Sequence, residues 1–278
     1  MIPQYNHNLT TSVVLWMDNR ICDDAQAYQN IGSNFYRQSN PSNGGAYVWA
    51  SPYKTFVFDD CVSGANIISG VYTTSGQFLT RASGIVIDFL NGRVISSYNW
   101  GNTLSGNFAR KEINTYFSTK EELNYWLEHI MGADSNMGYA DTGIPAFRFA
   151  APCVVVTNSV NHNDAFALGG LRDSKATIRV FAITDNNYLQ EGLNSIIADS
   201  AQKYIPLCTY ADAPLNSLGD LKGGNYNYCT GIYDKYGCGN GAYIENVYSI
   251  KINELANRNN NYLLSAMELD LSMIRIPN

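Results

Sequence analysis

Near the start of the chain, apolar residues recur every three or four positions: Leu9, Val13, Trp16, Met17 and Ile21. That spacing lines one face of a helix, and Thr10 and Thr11 are its candidate caps. A polar stretch follows, with turn signals at Asn40-Pro41 and Asn43-Gly44-Gly45. From about Ala46 the period shortens to two. Tyr53 to Phe58 places Phe56 and Phe58 on one face of a strand, and Asn66 to Tyr72 reads as another, closed by the turn Thr73-Thr74-Ser75-Gly76. Ile85, Ile87 and Phe89 alternate up to Asn91-Gly92, and Arg93-Val94-Ile95 resumes. Asn-Gly between alternating runs predicts a hairpin, because both residues tolerate positive φ. Phe108 to Phe117 is expected to be one further strand. Short strands this closely spaced predict a sandwich or small barrel.

Ser118-Thr119-Lys120-Glu121 then reads as a capping box. It opens a helix striped by Leu123, Trp126, Leu127 and Ile130 and ended at Met131-Gly132. The polar segment from Ala133 to Gly143 is the expected boundary between residues 1–140 and residues 141–278. Beyond it, Cys153-Val154-Val155-Val156 and Ala176 to Thr184 are apolar strands. Asp185 is the expected cap of a helix striped by Leu189, Leu193, Ile196, Ile197 and Tyr204 and stopped by Pro206. A loop rich in Gly, Asn and Tyr is expected from about Leu207 to Gly241, and loops of that length are usually functional or mobile. Two alternating strands close the chain. Ile244, Tyr248, Ile250 and Ile252 share the buried face of the first, and Met267, Leu269, Leu271 and Met273 that of the second. The expected fold class is α+β: an N-terminal helix with a small antiparallel β-domain, then a C-terminal α+β domain of mostly antiparallel sheet with one flanking helix.

Composition changes this picture in one respect. Charged residues make up 15% of the 278, against about 25% in ordinary domains, and their place is taken by 32 Asn and 20 Tyr. Surfaces poor in charge and rich in aromatics suit contact with other chains; an A/T-rich genome produces the same bias, and the two explanations are compatible. The net charge of −6 and the lack of any basic run argue against nucleic-acid binding. No apolar run is long enough to span a membrane. The N-terminal residues lack signal-peptide character, so a reducing cytoplasm is the expected place of synthesis. The six cysteines show no C-x-x-C or zinc spacing and are expected to be free thiols, with Cys229 and Cys238 the one candidate pair.

Candidate chemistry is sparse. His7, His129 and His162 show no ligand spacing, so no metal and no cofactor is expected. Cys153, His162 and Asp164 form the one candidate nucleophilic set, although a thiol in an apolar strand is usually inert. Asp59-Asp60 is the nearest carboxylate pair in sequence. The tyrosines Tyr210, Tyr226, Tyr228, Tyr233, Tyr236 and Tyr243 stand in or beside the long loop. They read either as a contact surface for protein or carbohydrate, or as rings covering the domain's own core.

Two stretches resemble structural proteins of tailed phages. Ile68-Ser69-Gly70-Val71-Tyr72, Ile87 to Val94, and Phe108-Ala109-Arg110-Lys111-Glu112-Ile113-Asn114-Thr115-Tyr116 resemble a β-module of neck and tail proteins. From Ile144 onward, an apolar strand, Phe166-Ala167-Leu168-Gly169-Gly170, a strand, a helix ending at Tyr204-Ile205-Pro206-Leu207, a loop and two late strands are similar in order to tail-terminator proteins. The resemblance implies a non-enzymatic virion subunit of the neck or tail. It would form a ring, with a hexamer favoured, contact other neck and tail proteins, and let DNA pass without specific binding. A baseplate, collar or decoration subunit, or a carbohydrate-binding adhesin module, is the alternative expectation.

Overall fold

The computed structural model describes residues 5–38, 45–117, 152–165, 172–237, 241–251 and 263–275. The helix expected from Ser118 to Ile130, the boundary at Ala133–Gly143 and the Phe166–Gly170 motif lie outside the described residues. The chain divides into two compact units. One comprises Met1–Ile21, Ile113–Ala211 and Ile232–Asn278; the other comprises Cys22–Glu112 and Asp212–Gly231.

The second unit is a seven-stranded antiparallel sheet. Its strands are β1 (Tyr28–Arg37), β2 (Tyr47–Ala50), β3 (Gly70–Thr73), β4 (Phe78–Thr80), β5 (Ile85–Asp88), β6 (Arg93–Ser96) and β7 (Thr103–Lys111), in the order β4-β3-β7-β1-β2-β6-β5. The Asn91-Gly92 turn joins β5 to β6 as expected, with Gly92 at φ 63°. Aromatic rings fill the core: Phe35, Trp49, Phe56, Phe89 and Phe108 are all buried, and the Phe56 and Phe108 rings stack with centroids 4.1 Å apart. Gly106 leaves the room this needs, since a Cβ there would stand 3.4 Å from the Phe35 ring and 3.3 Å from Val71. Phe56 makes a single bridge to Arg110 and no strand.

The first unit is built on a six-stranded sheet of β8 (Asn114–Phe117), β9 (Cys153–Ala165), β10 (Arg172–Thr184), β11 (Tyr204–Pro206), β12 (Gly241–Lys251) and β13 (Leu263–Arg275). Their order is β11-β12-β13-β10-β9-β8, and only the β8–β9 pair is parallel. Helix α1 (Tyr5–Asp23) buries all five residues of its expected stripe. Thr10 and Ser12 lie inside it and donate to the carbonyls four residues back, so Thr10 is no cap. Helix α2 (Asn187–Ala198) packs on β10, β12 and β13 and buries Leu193 and Ile197. Its cap is Asn186, whose side chain accepts from the Leu189 amide at 2.9 Å, in place of Asp185. Tyr204 and Pro206 pair in β11 and take no part in ending the helix.

The α+β expectation is corrected: the protein is mostly β, with two extended sheets and, among the described residues, three α-helical segments, the third only Asp234–Tyr236. The reason is backbone pairing by polar sequence. Stretches rich in Asn, Ser and Gly, such as β1, sit in the middle of a ladder, where one apolar face suffices to hold them. The strand expected from Phe108 to Phe117 is two strands, β7 and β8, and they belong to different sheets. The expectation of six free thiols is also corrected, since Cys61 and Cys229 form a disulfide. Cys229 is therefore not the partner of Cys238. Cys22, Cys153 and Cys208 are buried thiols outside any disulfide.

Candidate functional site

The candidate site grows from a break in register. Strand β12 pairs with β13 along its length, but the register shifts between Ile244 and Asn246. The main chain of Ile244 is held from the other side, donating to the Lys203 carbonyl and accepting from the Gln202 amide, both at 2.9 Å. Glu245 is the extra residue of a bulge. Because side chains alternate with period two, one extra residue reverses every face beyond it. Ile244 is fully buried, whereas Tyr248 and Ile250 are 53% and 61% exposed. The even-numbered apolar face expected of this strand is thus split: buried before the bulge and open to solvent after it.

What lies beside Tyr248 and Ile250 follows from the register. Ile250 stands opposite Ala266, Ala266 opposite Phe181, Phe181 opposite Val155, and Val155 opposite Tyr116. This apolar row crosses five strands, from a buried cluster containing Phe181, Val155, Cys153, Ile183 and Leu264 to an exposed edge. The next row is polar: Tyr248 faces Glu268, which accepts from Arg179 Nε at 2.7 Å. Lys251 points to the opposite face and bonds Glu191 of α2 at 3.0 Å, so α2 covers the other side of the sheet. Strand β11 pairs only with Gly241–Tyr243. Among the described residues, the edge of β12 from Asn246 to Lys251 has no strand beside it.

The six tyrosines expected at a contact loop separate. Tyr226 and Tyr228 belong to the seven-stranded unit. The Tyr226 ring packs against the core 5.8 Å from that of Phe58, and Tyr228 is buried. Tyr210, Tyr233 and Tyr243 are exposed in the other unit, and Tyr236 is half-buried there. The segment expected to be one long loop is largely irregular, with short helical turns at Tyr210–Asp212, Cys229–Tyr233 and Asp234–Tyr236, but much of it packs into the folded body. Asp212–Gly231 packs as part of the seven-stranded unit, where Leu221 enters its core.

The candidate catalytic residues do not converge. Cys153 and His162 lie nine residues apart on one extended strand, β9, which places their Cα atoms about 30 Å apart. The buried Asp59 holds the amides of Cys61 and Tyr228 at 3.0 and 2.9 Å and so organises the chain around the disulfide. Loss of hydration raises the carboxyl pKa of its neighbour Asp60 above the ordinary value. His7 is exposed on α1, and His129 lies outside the described residues. Among the described residues no group of three or more His, Cys, Asp or Glu could hold a metal ion, and no helix is long and apolar enough to cross a membrane.

No protein-family model matches this chain, and no curated protein matches it significantly.

Proposed function

We propose that the protein is a non-enzymatic structural subunit, working in the neck or tail of a tailed phage and assembling with further copies of itself. The observation that carries this reading is the bulge at Glu245, which turns Tyr248 and Ile250 outward at an open sheet edge. Free-standing proteins blunt such edges or keep them polar; here an apolar row ends at the edge in exposed Ile250, with exposed Tyr248 at the end of the row beside it. A strand edge offers unpaired N–H and C=O groups to a neighbour, and an exposed aromatic beside it supplies contact area. The charge-poor, tyrosine-rich composition fits the same use. The phage assignment rests on the stretches that resemble neck and tail proteins.

The edge of β12 and the surface it meets on a neighbour would be different patches. Such heterologous contacts close into rings when the rotation permits. Negative-stain imaging of the largest species in purified protein tests this: closed rings support the reading, and single particles of one chain at every concentration oppose it.

A further inference from the structure

A second surface, in the seven-stranded unit, has the chemistry of a ligand site and does not rest on the assembly reading. On the outer face of that sheet the register aligns four side chains across four strands. Phe78 of β4 lies opposite Tyr72 of β3, Tyr72 opposite Ser105 of β7, and Ser105 opposite Asn34 of β1. At about 4.8 Å per strand, this row spans roughly 14 Å. Beside it Asn107 stands opposite Gly32. A Cβ on Gly32 would come within 2.9 Å of the Asn107 amide oxygen, so the glycine lets that side chain lie across β1. Gly32, Asn34, Tyr72, Ser105 and Asn107 line an open cleft of about 300 Å³, at the small end of the range for ligand sites; Phe78 lies beyond its lining, against the Tyr72 ring.

The two ends of the row differ in kind. Tyr72 and Phe78 are 45% and 43% exposed, and their ring centroids lie 4.7 Å apart. They form an apolar platform beside the polar side chains of Ser105, Asn34 and Asn107. At the other end stand two amides and a hydroxyl. No described residue takes a hydrogen bond from, or gives one to, the side chains of Asn34 and Asn107. An amide both donates and accepts, as does a serine hydroxyl. No charged side chain lines the cleft, which removes the groups that would hold a phosphate, sulfate or carboxylate.

From this arrangement we infer that the cleft binds a neutral sugar, a hexose or N-acetylhexosamine unit of a glycan. The C–H face of a pyranose ring is apolar and would lie on Tyr72 and Phe78. Its hydroxyls, each both donor and acceptor, would reach Asn34, Ser105 and Asn107. A protein segment is the less favoured occupant, because a cleft this small and polar lacks the apolar anchor pocket around which protein contacts centre.

The test is titration of the intact protein with neutral mono- and disaccharides of hexose and N-acetylhexosamine, followed by NMR and calorimetry, with sialic acid and glucuronic acid as anionic probes. Weak, saturable binding of at least one neutral sugar is expected. Tyr72→Ala should weaken it about tenfold, a change of about 1.4 kcal/mol, and Asn107→Ala should weaken it several-fold. Both substitutions lie on a solvent-facing surface, and an unchanged unfolding midpoint confirms that the variants fold. No binding of any neutral sugar, equal binding of the anionic sugars, or affinity unchanged in both variants would overturn the inference. So would a cleft that takes peptides and leaves sugars unbound.

Discussion

Cys61 and Cys229 are bridged across 168 residues of sequence, with Cα atoms 5.9 Å apart. Both lie in the unit formed by Cys22–Glu112 and Asp212–Gly231, so the bridge ties the returning segment to the body of its sheet. A cross-link closing so long a loop removes much of the unfolded chain's freedom. Reduction, or Cys61→Ser, is expected to lower the stability of this unit by about 2–5 kcal/mol. Urea unfolding with and without reductant measures the loss, and mass spectrometry of a non-reduced digest should find the two peptides joined.

Arg81 and Asp220 tie the same segment to the sheet a second time. Arg81 Nη2 and Nε donate to Asp220 Oδ1 at 2.7 and 3.0 Å, and the same oxygen accepts from the Leu221 amide at 2.8 Å. Asp220→Ala strips partners from a half-buried guanidinium and a backbone N–H. The expected cost is about 2 kcal/mol, read as a lower unfolding midpoint at unchanged slope. A loss no larger than that from an exposed surface substitution would contradict this.

Lys54 supplies a pH signature. Burial, together with the nearby Arg93 guanidinium, holds its ammonium below the usual lysine range. The fold therefore disfavours the charged form. The penalty is full below the folded-state value, shrinks as pH rises through it, and is gone above the unfolded-state value of about 10.4. Lys54→Met is expected to stabilise the protein near neutrality, and its advantage should shrink as pH rises toward about 11. Unfolding curves across that range decide; an advantage independent of pH would assign the effect to packing.

Hydrophobic period made much of this fold legible. The α1 stripe, the α2 stripe as far as Ile197, the hairpin at Asn91-Gly92 and the inward face of β13 all follow from spacing alone, because each element buries one continuous face; Tyr204, expected in the α2 stripe, lies in β11. Three features did not follow. Strand β1 carries only Ile31 and Phe35 as aliphatic or phenyl anchors among Asn, Ser and Gly, so it reads as a polar stretch; its place between β7 and β2 comes from partners distant in sequence. The cleft residues Gly32 and Asn34 were missed with it. The disulfide was hidden because 168 residues separate its ends. The bulge at Glu245 was hidden because the alternation of Ile244, Tyr248 and Ile250 looks unbroken in sequence. Only the pairing with β13 shows that one residue is extra.

The bulge itself can be tested. Deleting Glu245 would restore a single alternation through β12 and turn Tyr248 and Ile250 to the side that α2 covers, displacing Val247 and Lys251. The expected result is loss of stability together with loss of self-association. Tyr248→Ser with Ile250→Ser should abolish association while leaving the unfolding midpoint nearly unchanged, because both side chains are exposed.

The most direct test of the assembly reading is the mass in solution, by light scattering over a wide concentration range, of the wild-type protein and this double variant. The account predicts that the wild-type mass climbs to a fixed multiple of the 30.8 kDa chain, whereas the variant remains a single chain. A wild-type protein that stays at one chain throughout, or a variant that assembles as the wild type does, would contradict it.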